Sequence, residues 1–129
     1  MTEKQPKGQV LIQTLAMPAD TNANGDIFGG WLVSQMDLAA GILAKTVSTG
    51  RAATVAIQSL TFKLPVHVGD LLSCYVELIK QGNTSMTINV EAWQQMISTG
   101  ERHCAAEGVF VFVAIDEHGR PRKVISSTS

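Results

Sequence analysis

Charge is scarce in this chain. Asp, Glu, Lys and Arg make up 16% of its 129 residues, against about 25% in an ordinary soluble domain. Neither sign dominates, since 10 basic and 11 acidic residues leave a formal net charge of −1. Without a basic stripe there is no electrostatic footprint for a nucleic-acid partner. Cysteine is equally sparse. Cys74 and Cys104 match no zinc or redox spacing and make no disulfide framework, so a reduced, cytoplasmic protein is expected. The three histidines, His67, His103 and His118, are dispersed and form no ligand cluster with the cysteines, so neither metal nor cofactor is expected. No apolar run approaches the roughly 18 residues that a membrane span needs. The polar start, Met1 to Gly8, carries no apolar signal core. Walker and Rossmann glycine patterns are missing, as is the G-x-S-x-G nucleophile elbow.

What the chain does have is a normal apolar share of 45% and the size of a single domain. The pattern predicts one domain over 8–123, with loose segments at 1–7 and 124–129. The missing charge is concentrated in one place. From Ile27 to Phe62 the only charged residues are Asp37, Lys45 and Arg51. A chain of this size buries only about two thirds of its unfolded surface. So long an uncharged segment is therefore core, or it is covered by another chain.

The elements follow from periodicity. Val10 to Met17 reads as a strand stopped by Pro18, followed by a turn-rich run from Ala19 to Asp26. Trp31 to Ala44 is rich in helix formers and apolar nearly all round, the mark of a buried helix. It ends near Ser48-Thr49-Gly50, with Gly50 suited to the position just past the C-cap. Thr54 to Phe62 is a strand rich in β-branched residues, and 64–70 is a loop. Leu72 to Leu78 and Met86 to Ala92 alternate apolar and polar residues with period two. Ala105 to Ile115 is almost wholly apolar, which predicts a central strand. One helix followed by antiparallel strands gives an α+β fold with the sheet wrapped around the helix.

Asp37 stands out because it is the only charge between Trp31 and Ala44. Aspartate is a poor mid-helix residue, and burying a carboxylate is costly unless it is paired or protonated. A base is one reason to keep it there. Gly29-Gly30 precede the helix, where the first backbone N–H groups lack internal partners and carry partial positive charge. Glycines there allow either a tight turn or the close approach of an oxyanion to the backbone. Asp37 follows Gly30 by seven residues, which places both on one helix face but roughly 10 Å apart. A reacting carbonyl needs both groups at about 3 Å, so one helix cannot supply both. Two antiparallel copies can. Asn22 and Asn24 belong to a turn signal, Asn24-Gly25, and could also orient a water or a thioester oxygen. Arg120, Arg122 and Lys123, with Arg51 and Lys63 elsewhere, are either a solvated basic face or an attraction for a polyphosphate headgroup.

The run Thr14-Leu15-Ala16-Met17-Pro18-Ala19-Asp20-Thr21-Asn22-Ala23-Asn24-Gly25-Asp26-Ile27-Phe28-Gly29-Gly30-Trp31, continuing into Ser34-Gln35-Met36-Asp37, closely resembles the YciA-type acyl-CoA thioesterases of the hot-dog superfamily. The block Phe62-Lys63-Leu64-Pro65-Val66-His67-Val68-Gly69-Asp70 resembles the superfamily's entry into its third strand. The resemblance covers residues 8–123, departing at Gln58, where many relatives carry an acidic residue. It implies a curved antiparallel sheet around one helix, a homodimer with sites at the interface, and further assembly to a hexamer as a trimer of dimers. It implies hydrolysis of acyl-CoA to a free acid and CoA, with CoA as substrate rather than cofactor. By the same resemblance Asp37 is the catalytic carboxylate, acting as general base on a water or as a nucleophile that forms a mixed anhydride, Gly29 and Gly30 form the oxyanion site, and Asn22 or Asn24 lies near the thioester. Phe28, Arg51, Lys63, Arg120 and Arg122 are then the candidate contacts to CoA. A non-catalytic acyl-CoA-binding module and an enoyl-CoA hydratase or dehydratase are the alternatives; the latter would need a histidine beside the Asp37 motif.

If Asp37 and the glycines act together, the active species is a dimer or larger. Analytical ultracentrifugation of the active protein should show no monomer, and an active monomer would refute the shared site.

Overall fold

The structure is a computed structural model in which residues 5–124 are described. Strand β1 (Gln9–Leu15) leads through a single 3-10 turn at Pro18–Asp20 into helix α1 (Gly29–Ser48). Four strands follow: β2 (Ala52–Phe62), β3 (Leu71–Gln81), β4 (Ser85–Gln95) and β5 (Arg102–Ala114). They form one sheet in the order β1-β3-β4-β5-β2, and every neighbouring pair is antiparallel. The expected α+β architecture is present. The apolar strand β5 has neighbours on both sides, but the middle position belongs to β4.

Alternation decides which face meets the helix. Leu72, Cys74 and Val76 of β3, Met86, Ile88, Val90 and Ala92 of β4, and Ala106, Phe110 and Phe112 of β5 are all buried. Leu32, Met36, Ala39, Ala40, Leu43 and Ala44 of α1 join them in one apolar cluster. These helix positions recur at three- and four-residue steps, one stripe of an α-helix. The other side of α1 is not covered within the chain, because Leu38 is 55% and Ile42 41% exposed. The all-round apolar pattern therefore marks a helix with two apolar faces, of which its own sheet covers one. Strand β2, at the edge of the sheet, also exposes Val55 and Ile57.

Gly50 does follow the C-cap of α1, which is Thr49, but the left-handed residue is Thr49 itself, at φ 52°. Gly50 serves packing: a Cβ there would stand 2.6 Å from Nη2 of Arg122. At the other boundary, Val124, expected in a loose segment, is 3% exposed and its N–H donates to the Asn83 carbonyl at 2.9 Å. The remainder of the expected loose ends, residues 1–4 and 125–129, lies outside the described residues. Among the described residues no helix is long and apolar enough to cross a membrane.

Burial pushes the Cys74 thiol up to about 12, so it stays protonated and unreactive near neutrality. An alkylating reagent at pH 8 should leave Cys74 unmodified in the native protein and label it after denaturation, read by mass spectrometry.

Candidate active site

Asp37 lies on α1 at the border between the covered and uncovered sides, half-buried within its own chain. It is not enclosed as a fully buried helix would have enclosed it. Its Oδ1 accepts a hydrogen bond from Thr54 Oγ1 at 2.6 Å. Thr54 stands on β2 just before an irregularity, since the β2–β5 register shifts between Thr54 and Ala56. Such shifts re-aim side chains on the affected strand. The hydroxyl fixes one carboxylate oxygen and leaves the other for a water or a substrate. Sequence reasoning missed Thr54, because no local pattern ties a threonine on the following strand to a helical aspartate.

The start of α1 forms a second cluster. Phe28 is the N-cap and contributes no side-chain cap. The amides of Trp31 and Leu32 donate to the Phe28 carbonyl, whereas those of Gly29 and Gly30 find no acceptor among the described residues. A Cβ on Gly30 would lie 3.0 Å from the Phe28 ring, and one on Gly29 would lie 3.2 Å from the Phe62 ring. Both glycines therefore serve close packing while leaving two N–H groups at the positive end of the helix dipole. A cavity of about 460 Å³ opens beside them, lined by Ile27, Gly29, Leu32, Phe62, Leu64 and Val66 among others. Lys63 also lines it and pairs with Glu107 at 3.0 Å.

The preceding loop is closed by a bridge between Thr21 and Ile27. Asn22 Oδ1 accepts from the N–H groups of Asn24 and Asp26, at 2.9 and 3.2 Å. Its carbonyl oxygen is thus engaged in shaping the loop, while Asn24 is exposed at the turn. The basic residues lie elsewhere. Arg51 Nη1 donates to the carbonyls of Asp116 and Glu117, and Arg120 is exposed. Arg122 clamps its own chain: Nε donates to Ile115 O at 2.8 Å, Nη1 to Ser48 O at 2.9 Å and Nη2 to Arg51 O at 3.1 Å. Its guanidinium thereby satisfies a carbonyl at the C-terminal end of α1, where a cation is favoured.

One chain therefore gathers Phe28, Gly29, Gly30 and Lys63 at the start of α1 and sets Asp37 with Thr54 two helical turns on. Arg51 and Arg122 gather near the other end of α1. No group of three or more His, Cys, Asp or Glu side chains among the described residues could hold a metal ion.

A five-stranded antiparallel sheet of this order laid over one helix is the architecture of a hot-dog domain. Residues 24–101 match the thioesterase superfamily, and the chain belongs to it. Within that family it is 49% identical over 124 residues to the acyl-CoA thioester hydrolase YciA of Escherichia coli, with 94% of each chain covered. It superposes with a TM-score of 0.91 on HI0827, a hexameric broad-specificity acyl-coenzyme A thioesterase, at 48% identity, covering 97% of this chain and 86% of that one. It is also similar to the acyl-CoA hydrolase of Staphylococcus aureus, solved with butyryl coenzyme A, at 28% identity and a TM-score of 0.80, covering 87% of this chain and 68% of that one. Variants of that hydrolase carry alanine in place of an aspartate or of a threonine 17 positions later. Asp37 and Thr54 have the same separation of 17.

The clamp gives a prediction that separates a structural arginine from a ligand contact. Arg122→Ala should cost roughly 2 kcal/mol of stability, about the worth of one hydrogen bond from a charged group, because partial exposure lets water replace much of the rest. Arg120→Ala should leave the thermal midpoint unchanged. Differential scanning calorimetry of the two variants makes the comparison.

Proposed function

We propose that the protein is an acyl-CoA thioester hydrolase that works as a homodimer with two sites at the interface, assembled further into a hexamer. The observation that carries this is the division of the chemistry along α1. A carboxylate oriented by a hydroxyl at 2.6 Å and two unpaired amides lie on one helix, roughly 10 Å apart. A second, antiparallel copy brings Asp37 of one chain beside Gly29 or Gly30 of the partner subunit. The same pairing covers Leu38 and Ile42, which the chain leaves exposed.

The reaction follows from these groups. Asp37 takes a proton from a water as that water attacks the thioester carbonyl. Thr54 holds the carboxylate in line. The oxyanion that forms is stabilised by the glycine amides and the helix dipole behind them. Collapse of the tetrahedral intermediate breaks the C–S bond, and the proton held by Asp37 passes to the departing sulfur, releasing the acid and the CoA thiol and restoring the carboxylate. Phe28 borders this point, and Asn22 and Asn24 shape the adjoining loop. The acyl chain enters the apolar cavity beside Gly29. Eleven residues separate Asp37 from Ser48, about 16 Å along the axis, and Arg51 and Arg120 beyond it attract the CoA phosphates. Lys63 is the basic group at the cavity itself. Arg122 supports that end of the site by holding Arg51 in place. The reaction calls for no cofactor, because CoA is part of the substrate.

Release of CoA from acyl-CoA, followed with a thiol reagent, tests the assignment. Asp37→Asn should lower kcat by about 10²–10⁴-fold while dimers and CoA binding persist. Thr54→Val should lower kcat by about tenfold, and Thr54→Ser should restore most of it. Near-normal turnover by Asp37→Asn would refute the role of the carboxylate.

A further inference from the structure

The cavity beside Gly29 has unequal walls. Leu32 and Val66 line it from the core and are buried. Phe62 and Leu64 line it from the rim, at 52% and 43% exposed. Of these rim residues, Phe62 is the one that stands against the helix start. A Cβ on Gly29 would meet Cζ, Cε1 and Cε2 of the Phe62 ring at 3.2, 3.4 and 3.8 Å. The tip of the ring therefore borders the space that a side chain at position 29 would need. The amide of that same glycine finds no acceptor among the described residues.

The sheet sets the point from which the ring projects. Phe62 is the last residue of β2 and pairs with Ala106 on β5. Just beyond it, the N–H groups of Lys63 and Leu64 both donate to the Ala105 carbonyl, at 2.7 and 3.2 Å. Three successive residues are thus tied to β5. The ring is an accessible wall of the cavity, carried on a fixed backbone and placed beside the amides rather than at the cavity floor.

We propose that Phe62 is a specificity-determining residue of the acyl site: its ring excludes acyl groups branched at the carbon next to the thioester carbonyl. This rests on the thioesterase reading above. With the carbonyl oxygen on the Gly29 or Gly30 amide, the first carbon of the acyl chain is only two bonds from that oxygen. It must pass the ring before the chain reaches Leu32 and Val66. A straight chain presents a methylene there. A methyl branch adds a group the size of a Cβ, and the ring that leaves little room for a Cβ on Gly29 leaves little for the branch. Forcing an extra methyl into a packed apolar site is unfavourable, and one carbon in such a site changes rates by about 10–200-fold. Further in, Ile27, Leu32 and Val66 are aliphatic, so a branch farther along the chain meets no ring.

The test measures kcat/KM, by CoA release, for hexanoyl-CoA and for two methyl-branched forms, with the branch beside the carbonyl or at the far end. Branching beside a carbonyl also slows uncatalysed hydrolysis, so each ratio is divided by that of the hydroxide reaction. After that correction, the wild type should favour the straight chain over the carbonyl-branched one by about 10–100-fold. Phe62→Ala should bring the two substrates within about threefold of each other. Phe62→Leu, which keeps the strand end apolar, should fall between, and it carries the test if the alanine variant does not fold. The far-end branch should cost less than about threefold in every form. A wild type without the corrected preference, or a ratio unchanged in both variants, overturns the proposal. So does an equal loss on all substrates, which would make the ring a support for the helix start, or a far-end penalty as large as the one beside the carbonyl. Turnover of hexanoyl-CoA by the wild type reports separately on the thioesterase reading.

Discussion

One helix lies across one sheet, and the sheet covers only half of it. The stripe from Leu32 to Ala44 is fixed by contact with β3, β4 and β5, and that contact sets the direction of every other residue on α1. Asp37 falls at the border of the stripe, Leu38 and Ile42 fall outside it, and the glycines at the start remain open to a ligand. Rotating the helix by one residue, about 100°, would bury the carboxylate in the core and turn the apolar face to water. The hydrophobic contact thus determines where the proposed chemistry can occur as well as how the domain holds together.

The same contact explains why the proposed site is divided. An α-helix cannot bring residues seven apart to one atom, because its rise separates them by two turns. In the proposed dimer a second copy supplies the missing half at no cost in local strain. Thr54 belongs to this arrangement. It stands on β2, the edge strand that also exposes Val55 and Ile57, so carboxylate, orienting hydroxyl and uncovered apolar surface are neighbours. A carboxylate in such a place is shielded only when the complex forms, and electrostatic interactions strengthen as water leaves.

Much of this is legible in the residues. Period-two alternation marks β3 and β4, the turn residues before Phe28 mark the loop, and the isolated charge of Asp37 marks the site. The failures share one physical origin, in that each depends on contacts between distant parts of the chain. An apolar pattern all round α1 does not say which face the chain itself will cover. Thr54 becomes visible only when β2 is laid beside α1, and Gly50 matters because Arg122 arrives there from the far end of the chain. Arg122, part of a basic run in the sequence, is drawn into carbonyl groups that no sequence pattern groups together.

The clamp made by Arg122 also bears on the timing of folding. Ser48 and Arg122 are 74 residues apart, so the end of the helix is secured by a part of the chain synthesised long after it. Contacts of such sequence separation form late, because the loop between them must be ordered first. The helix is the first long element to be made, yet its C-terminal end is among the last places to be locked. Until then, its two apolar faces are equally available to the sheet of its own chain and to surfaces outside it.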